Sequence, residues 1–118
     1  MWKQIDRVLA VLLSLGAIGH TFGSIAAFRH QPATLLWALC ASALIALVSA
    51  INLLRTWRPG DRSLAWIAVT GTLSWLVASI AFGVIIGRLI DPRVVVFVLL
   101  TIGLLAFGIK DGVSARRA

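Results

Sequence analysis

Long apolar stretches alternate with short polar ones along the whole chain. Four stretches contain no Asp, Glu, Lys or Arg; they cover residues 8–28, 33–54, 63–87 and 94–109. A helix needs about 20 apolar residues to cross the roughly 30 Å of hydrocarbon in a bilayer, and the last stretch reaches this length if it continues to Gly112. The runs do not alternate in polarity, which favours helices over barrel strands. The pattern predicts an all-α integral membrane protein with four transmembrane helices.

The polar links between these stretches are brief and cover residues 29–32, 55–62 and 88–93. Links of this length make consecutive helices antiparallel, so the spans form two helical hairpins within one domain, residues 1–118. Pro32 and Pro92 stand where helices would begin, and Asp91 is placed to cap the fourth helix. We therefore expect a single four-helix domain in contact with the lipid bilayer.

The composition agrees with a membrane protein. The chain is 60% hydrophobic and 13% charged, with a mean hydropathy of +1.00. A soluble domain has about a quarter of its residues charged, and one of this size could not bury so much apolar surface. The net charge of +7 raises the question of nucleic acid. The basic residues flank the apolar stretches and form no single stripe, so we expect no nucleic-acid partner.

Lysine and arginine are unequally divided between the two ends of the predicted bundle. The end with both termini and residues 55–62 has eight: Lys3, Arg7, Arg55, Arg58, Arg62, Lys110, Arg116 and Arg117. The other end has three: Arg29, Arg88 and Arg93. Because positive charge is retained in the cytoplasm, the count predicts a multi-pass protein of the cell inner (plasma) membrane with N- and C-termini cytoplasmic. A cleaved signal peptide is the alternative interpretation of the first stretch.

The first and third stretches are similar to one another. With an offset of 55, eight of the 21 residues in 6–26 are identical in 61–81, including the Asp-Arg pair at each start. The second and fourth stretches match more weakly, at an offset of 60 that aligns Pro32 with Pro92. Copies that start on the same side of a membrane are parallel repeats. The pattern predicts a duplication of 6–54 and 61–112, with chance matching of apolar residues as the alternative.

Small residues recur at helical spacing along three of the stretches, and such residues allow close helix approach in a membrane. The sets are Gly16, Gly19, Gly23 and Ala27; Ala38, Ser42, Ala46 and Ala50; and Ser79, Gly83 and Gly87. If these faces contact other helices of the same chain, they imply no oligomer. If they lie on the outside of the bundle, they would form a homodimer or a larger membrane complex. The sequence leaves both open.

A candidate intramembrane polar site is centred on a histidine that lies about 18 Å beyond the start of its apolar stretch. Counting to equal depth on the other helices, and one turn along the same helix, gives the set His20, Ser24, Ser42, Trp75 and Thr101. An intramembrane ionisable group is a functional hypothesis by default. The alternatives are a hydrogen bond between helices, which we expect, proton or substrate handling, and metal or haem ligation.

The repeat makes a further prediction about this layer. The offset of 55 pairs His20 with Trp75, so an inward His20 implies an inward Trp75. A buried indole N–H needs an acceptor at a depth without water. Neutral imidazole supplies one, and the two side chains are predicted to meet across the bundle axis.

Few residues are suited to catalysis or to holding a cofactor. Cys40 is the only cysteine, which excludes disulfide exchange within the chain and cysteine-rich metal sites. His20 and Ser24 have no acidic partner in the same stretch, so they do not make a hydrolase triad. We therefore expect no enzymatic activity, no cofactor and no metal.

Four short helices in 118 residues resemble the small multidrug resistance transporters. Those proteins carry a membrane-embedded glutamate in the first helix, whereas the first stretch here has Ser14 and His20 and no acid. The chain resembles more closely, in architecture alone, the small uncharacterised four-span inner-membrane proteins of bacteria, and this likeness implies no activity. We expect a non-enzymatic accessory or structural subunit. The alternative is a small oligomeric transporter or channel with His20 in the pathway.

Overall fold

Four long helices make up almost all of the fold in the computed structural model, which describes residues 1–115. They are α1 (Trp2–Phe28), α2 (Pro32–Trp57), α3 (Arg62–Ile85) and α4 (Pro92–Ser114). Each is long and apolar enough to cross a membrane. The predicted four-helix class is therefore confirmed. Arg116 and Arg117, which belong to the predicted cytoplasmic charges, lie outside the described residues.

The helices extend beyond the apolar stretches at the end of the bundle that holds both termini, here called the termini face. α1 begins at Trp2, α2 continues to Trp57 and α4 continues to Ser114. The sequence placed Arg55 in the link between the second and third spans, and this was wrong because Arg55 lies within the last turn of α2. A helix tolerates an arginine in its last turn, so the chain turns only at Pro59 and at Gly60, whose φ is +89°.

The helix starts follow the predicted capping residues. Pro32 and Pro92 each occupy the first turn of a helix. The Asp91 carboxylate accepts a hydrogen bond from the backbone N–H of Arg93, which caps α4. Hydrogen bonds from Arg93 lower the pKa of the Asp91 carboxyl from 3.8 to about 2. Asp61 caps α3 in the same way by accepting from the N–H of Leu64.

The helices form a ring in chain order. α1 packs most extensively on α2, and α3 on α4, while contacts of α2 with α3 and of α1 with α4 close the ring. α1 therefore lies diagonally across from α3. The bundle measures 53 × 23 × 22 Å. Its apolar core consists of Ala10, Leu13, Ala17, Ile45, Val48, Trp75 and Leu104. Many large apolar side chains lie on the outside, as expected for a surface in contact with lipid.

Burial in α1 and α3 follows the offset found in the sequence. The buried pairs at an offset of 55 are Ala10 and Ala65, Leu13 and Ala68, Ala17 and Thr72, and Ser24 and Ser79. In α2 and α4, burial coincides at an offset of 56, one helical turn from the sequence offset of 60. The corresponding pairs are Ile45 and Thr101, Val48 and Leu104, Asn52 and Gly108, and Thr56 and Gly112. Equivalent helices therefore present equivalent faces to the interior, while the duplication itself stays a prediction.

Candidate functional site

The first polar layer, here called the histidine layer, joins α1 to α2. Nδ1 of His20 lies 2.8 Å from Oγ of Ser42 and 3.4 Å from Oγ of Ser24. The Ser42 hydroxyl donates to the carbonyl of Ala38, at 3.2 Å. When it does so, the Ser42 oxygen is free to accept a proton from Nδ1–H of a neutral imidazole. The structure thus brings three of the five predicted site residues together.

The other two predicted site residues do not reach the histidine. Trp75 is buried, with an exposed fraction of 6%, so its predicted inward orientation is confirmed. Its indole Nε1 has no acceptor among residues 1–115, so the predicted contact with His20 was wrong. Thr101 donates to the carbonyl of Phe97 within its own helix.

Phe97 of α4 explains why the histidine and the tryptophan stay apart. Its ring packs edge-on against Trp75, with the ring centroids 5.5 Å apart. On its other side, a Cβ added to Gly16 would lie only 2.8 Å from the Phe97 ring. The small residue on α1 therefore admits a phenyl ring between the diagonal helices. Because Trp75 packs against this ring, its indole does not reach the imidazole.

The second polar layer lies near the termini face and was missed in the sequence. We call it the ion cluster, and it consists of Arg55, Asp6, Asp111, Asn52 and Thr72. The Arg55 guanidinium donates through Nη2 to Oδ1 of Asp6 at 2.7 Å, and through Nη1 to Oδ2 of Asp111. Arg55 Nη2 also lies 3.2 Å from Oδ1 of Asn52. Asn52 donates in turn to Oγ1 of Thr72, at 2.9 Å. One network thus connects all four helices.

The ion cluster is unequally buried. The side chain of Arg55 is 1% exposed and that of Asp6 is 6% exposed, whereas that of Asp111 is 43% exposed. Nε of Arg55 is buried and has no hydrogen-bond partner within the described part of the chain. Two carboxylates thus share one guanidinium, and only the carboxylate from α4 is open to solvent.

Helix periodicity contained a signal for this cluster. The buried positions Ile45, Val48 and Asn52 recur every three or four residues along α2, and Arg55 is the next position on that face. Three of the four acidic residues, Asp6, Asp61 and Asp111, lie at that same end of the bundle. The buried face of α2 thus ends at an arginine, and carboxylates lie at the same end of the bundle. This pattern predicts a buried ion pair. The assignment of Arg55 to a loop concealed this signal.

Two cavities open at opposite ends of the bundle. The cavity at the termini face has a volume of about 340 Å³ and is lined by Asp6, Arg55 and Asp111 together with lysines and aromatic rings. The other is a cavity of about 710 Å³ around the link from α3 to α4, from Gly83 to Pro92. Neither has a residue of the histidine layer in its lining.

Comparison with protein-family models, with curated proteins and with solved structures found no match to this chain. The site is therefore interpreted from its own chemistry. Among residues 1–115, no three His, Cys, Asp or Glu side chains are grouped as metal ligands. The arrangement offers a buried ion cluster with one solvent-accessible carboxylate, and a half-buried imidazole bonded to a serine.

Proposed function

We propose that this chain is a non-enzymatic integral membrane protein that acts as an accessory or structural subunit. The support comes from how its interior polar groups are used. His20 bonds to Ser42, and Ser49 donates to the carbonyl of Ala10 at 2.8 Å. Arg55 is bonded to carboxylates from two other helices. These bonds hold neighbouring helices together, which is the role of polar groups inside many membrane bundles.

The outer face of α1 is the observation that carries the proposal. A Cβ added at Gly19 or Gly23 would meet no atom within 4 Å, and both glycines are exposed. Gly16, by contrast, is in close contact with Phe97 inside the bundle. Two glycines spaced four residues apart on an outward helix face permit close packing of another transmembrane helix. We assign that helix to a larger membrane partner.

Crosslinking in intact membranes tests this assignment. A photoreactive residue at Phe22, which is 69% exposed between the two glycines, should crosslink to a discrete partner. Gly19→Ile together with Gly23→Ile should abolish the adduct, because branched side chains prevent close approach of a second helix. The crosslinked partner is then identified by mass spectrometry.

Ala106→Ile is the matched control for that experiment. Ala106 is exposed on α4, so the substitution adds a branched side chain to a different outer surface. The adduct should persist in this variant. The assignment to α1 would be contradicted if the adduct were lost in both the double glycine variant and Ala106→Ile. It would also be contradicted if the adduct persisted in both. An adduct with a second copy of the chain would replace the accessory role with self-association.

The rival function is a small oligomeric transporter or channel with His20 in the pathway. The half-buried imidazole supports it, because such a group can carry a proton near neutral pH. Proton uptake into vesicles containing the purified chain separates the two functions. The accessory role predicts a rate equal to that of empty vesicles. Uptake that is abolished by His20→Leu would favour the transporter.

We infer that the chain lies in the inner membrane with the termini face in the cytoplasm. Support comes from the excess of Lys and Arg at that face, eight against three. Alkaline phosphatase fused after Arg29 or after Asp91 should be active, because it would be outside the cytoplasm. Fusions after Arg58 or after Ala118 should be inactive. Activity of the C-terminal fusion would overturn this orientation.

A further inference from the structure

The cavity at the termini face carries charges of both signs. Its cationic side is formed by Lys3 and Lys110, and its floor by Asp6, Arg55 and Asp111 of the ion cluster. Nζ of Lys110 lies 6.0 Å from the centre of the Trp2 ring. That ring lies 6.4 Å from the ring of Phe107, and both rings also line the cavity. The cavity therefore combines flexible ammonium donors, a carboxylate floor and aromatic walls.

The members of the floor differ in what they can still bind. Arg55 and Asp6 are enclosed and bonded to one another. Asp111 uses Oδ2 for Arg55, and its side chain remains 43% exposed. Since a carboxylate has two oxygens that accept hydrogen bonds, Asp111 can accept from a cationic group in the cavity. The lysines have no acceptor function, so their hydrogen bonds to a ligand go to an anionic or polar acceptor.

These features fit a ligand with one anionic group and one hydrogen-bonding cation. A purely anionic group would face the carboxylates of the floor, and a purely cationic group would face the two lysines. We propose that the cavity binds the phosphoethanolamine headgroup of a membrane phospholipid. The phosphate contacts Lys3 and Lys110, and the primary ammonium donates to Asp111.

The position of the cavity identifies a lipid as the source of this headgroup. The cavity lies at the helix ends, where the apolar stretch that begins at Val8 and the one that ends near Ile109 both stop. Phospholipid headgroups occupy this depth in a bilayer, and aromatic rings are enriched there. Basic pockets at membrane-facing helix ends are known to bind lipid headgroups.

Native mass spectrometry of the delipidated full chain in detergent provides the test. The lipids are phosphatidylethanolamine, phosphatidylcholine and phosphatidylglycerol with identical acyl chains. Phosphatidylcholine retains the phosphate and the positive charge, but its nitrogen carries no N–H donor. We expect phosphatidylethanolamine to bind about tenfold more tightly than phosphatidylcholine, as one charge-assisted hydrogen bond would give.

Three substitutions assign the two halves of the headgroup. Asp111→Asn should bring the affinities for phosphatidylethanolamine and phosphatidylcholine to within about twofold, since the charged acceptor is lost. Lys110→Gln should weaken both lipids and preserve their ratio, because both carry the phosphate. Asp61→Asn is the matched control: it makes the same change of charge at the termini face, outside the cavity lining. Asparagine also retains the cap of α3, and the lipid preference should stay unchanged.

Several results would overturn the proposal. Equal affinity of the unmodified chain for phosphatidylethanolamine and phosphatidylcholine would exclude recognition of the ammonium group. Tighter binding of phosphatidylglycerol would indicate an anion site instead. A preference that survives Asp111→Asn would place the lipid elsewhere on the bundle. Soluble phosphoethanolamine forms a separate arm, and binding as tight as that of the lipid would overturn the lipid as the source. The readout is a ratio of affinities, so a change in stability of a variant does not imitate it.

Discussion

The two polar layers inside the bundle use opposite means to join helices. The ion cluster joins four helices through a guanidinium, two carboxylates, an amide and a hydroxyl. The histidine layer joins two helices through one imidazole and its serine partner. The ion cluster is charged, and Arg55 at its centre is almost completely buried, with an exposed fraction of 2%. His20, at the centre of the histidine layer, is only half-buried. Removal of one member should therefore have very different consequences in the two layers.

The difference lies in what each layer leaves behind when it is broken. Loss of the imidazole leaves a serine hydroxyl that can still bond to the carbonyl of Ala38. Loss of the guanidinium leaves the carboxylates of Asp6 and Asp111 without their shared cation. An unpaired charge in a low-dielectric interior costs far more than an unmade hydrogen bond between neutral groups. The stability of the bundle should accordingly depend more on Arg55 than on His20.

Arg55→Met should give the largest effect. Methionine keeps an unbranched apolar stem, but leaves the enclosed Asp6 carboxylate without a counter-charge. We expect the free energy of unfolding to fall by about 3 to 5 kcal/mol, the usual cost of breaking a buried ion pair. Unfolding by a denaturing detergent, followed through tryptophan fluorescence, measures this loss.

A double variant sharpens that prediction. Arg55→Met combined with Asp6→Asn removes the enclosed negative charge together with the cation. Much of the stability should return, because replacement of a whole buried ion pair is often close to neutral. A double variant less stable than Arg55→Met would refute the charge argument and point to lost packing instead.

His20→Leu should be milder. The substitution removes one hydrogen bond between helices, and leucine fills similar space. We expect the free energy of unfolding to fall by about 0.6 to 2 kcal/mol, the range found for such bonds in membrane bundles. The same fluorescence measurement applies. A loss as large as that of Arg55→Met would abolish the distinction between the two layers.

Asp6→Asn and Asp111→Asn should give the smallest effects and differ from one another. Either change leaves Arg55 with one carboxylate, so no charge is left unpaired. Asp6→Asn replaces the charged acceptor of an enclosed hydrogen bond with a neutral amide oxygen, while the donor Arg55 stays charged, and we expect a loss of about 1 kcal/mol. Asp111→Asn affects a side chain that is 43% exposed, and should cost less than about 0.5 kcal/mol. Equal losses would mean that exposure does not set the contribution of each carboxylate.

Most of the fold was accessible from the sequence. Long apolar runs fix the number of helices, and brief links with Pro32 and Pro92 fix where two of them begin. The helix ends at the termini face were not accessible in the same way, because apolarity marks the hydrocarbon thickness and not the length of the helix. A polar turn such as that around Arg55 remains helical when its groups find partners on neighbouring helices.

The histidine layer was only partly predictable. Equal depth brought His20 and Ser42 together correctly, because helices of known rise fix the height of each residue. Height does not fix the order of helices around a ring. The prediction that His20 contacts Trp75 failed because it required knowledge of that order and of Phe97. The Phe97 ring packs against Trp75 and lies close to Gly16. Packing between particular side chains is not encoded in any single helix.

The ion cluster also bears on how the chain is assembled. Lysines and arginines orient a nascent helix before tertiary contacts exist, and acidic residues contribute little to that step. In the orientation proposed above, Arg55 would therefore act first as an unmasked positive charge during insertion and only later as the partner of two carboxylates. One of those carboxylates, Asp111, belongs to α4, which is synthesised after the other three helices. In a chain that has not yet added α4, Arg55 lacks the Asp111 carboxylate and keeps part of its positive charge unpaired. This unpaired charge distinguishes an unfinished bundle from a finished one.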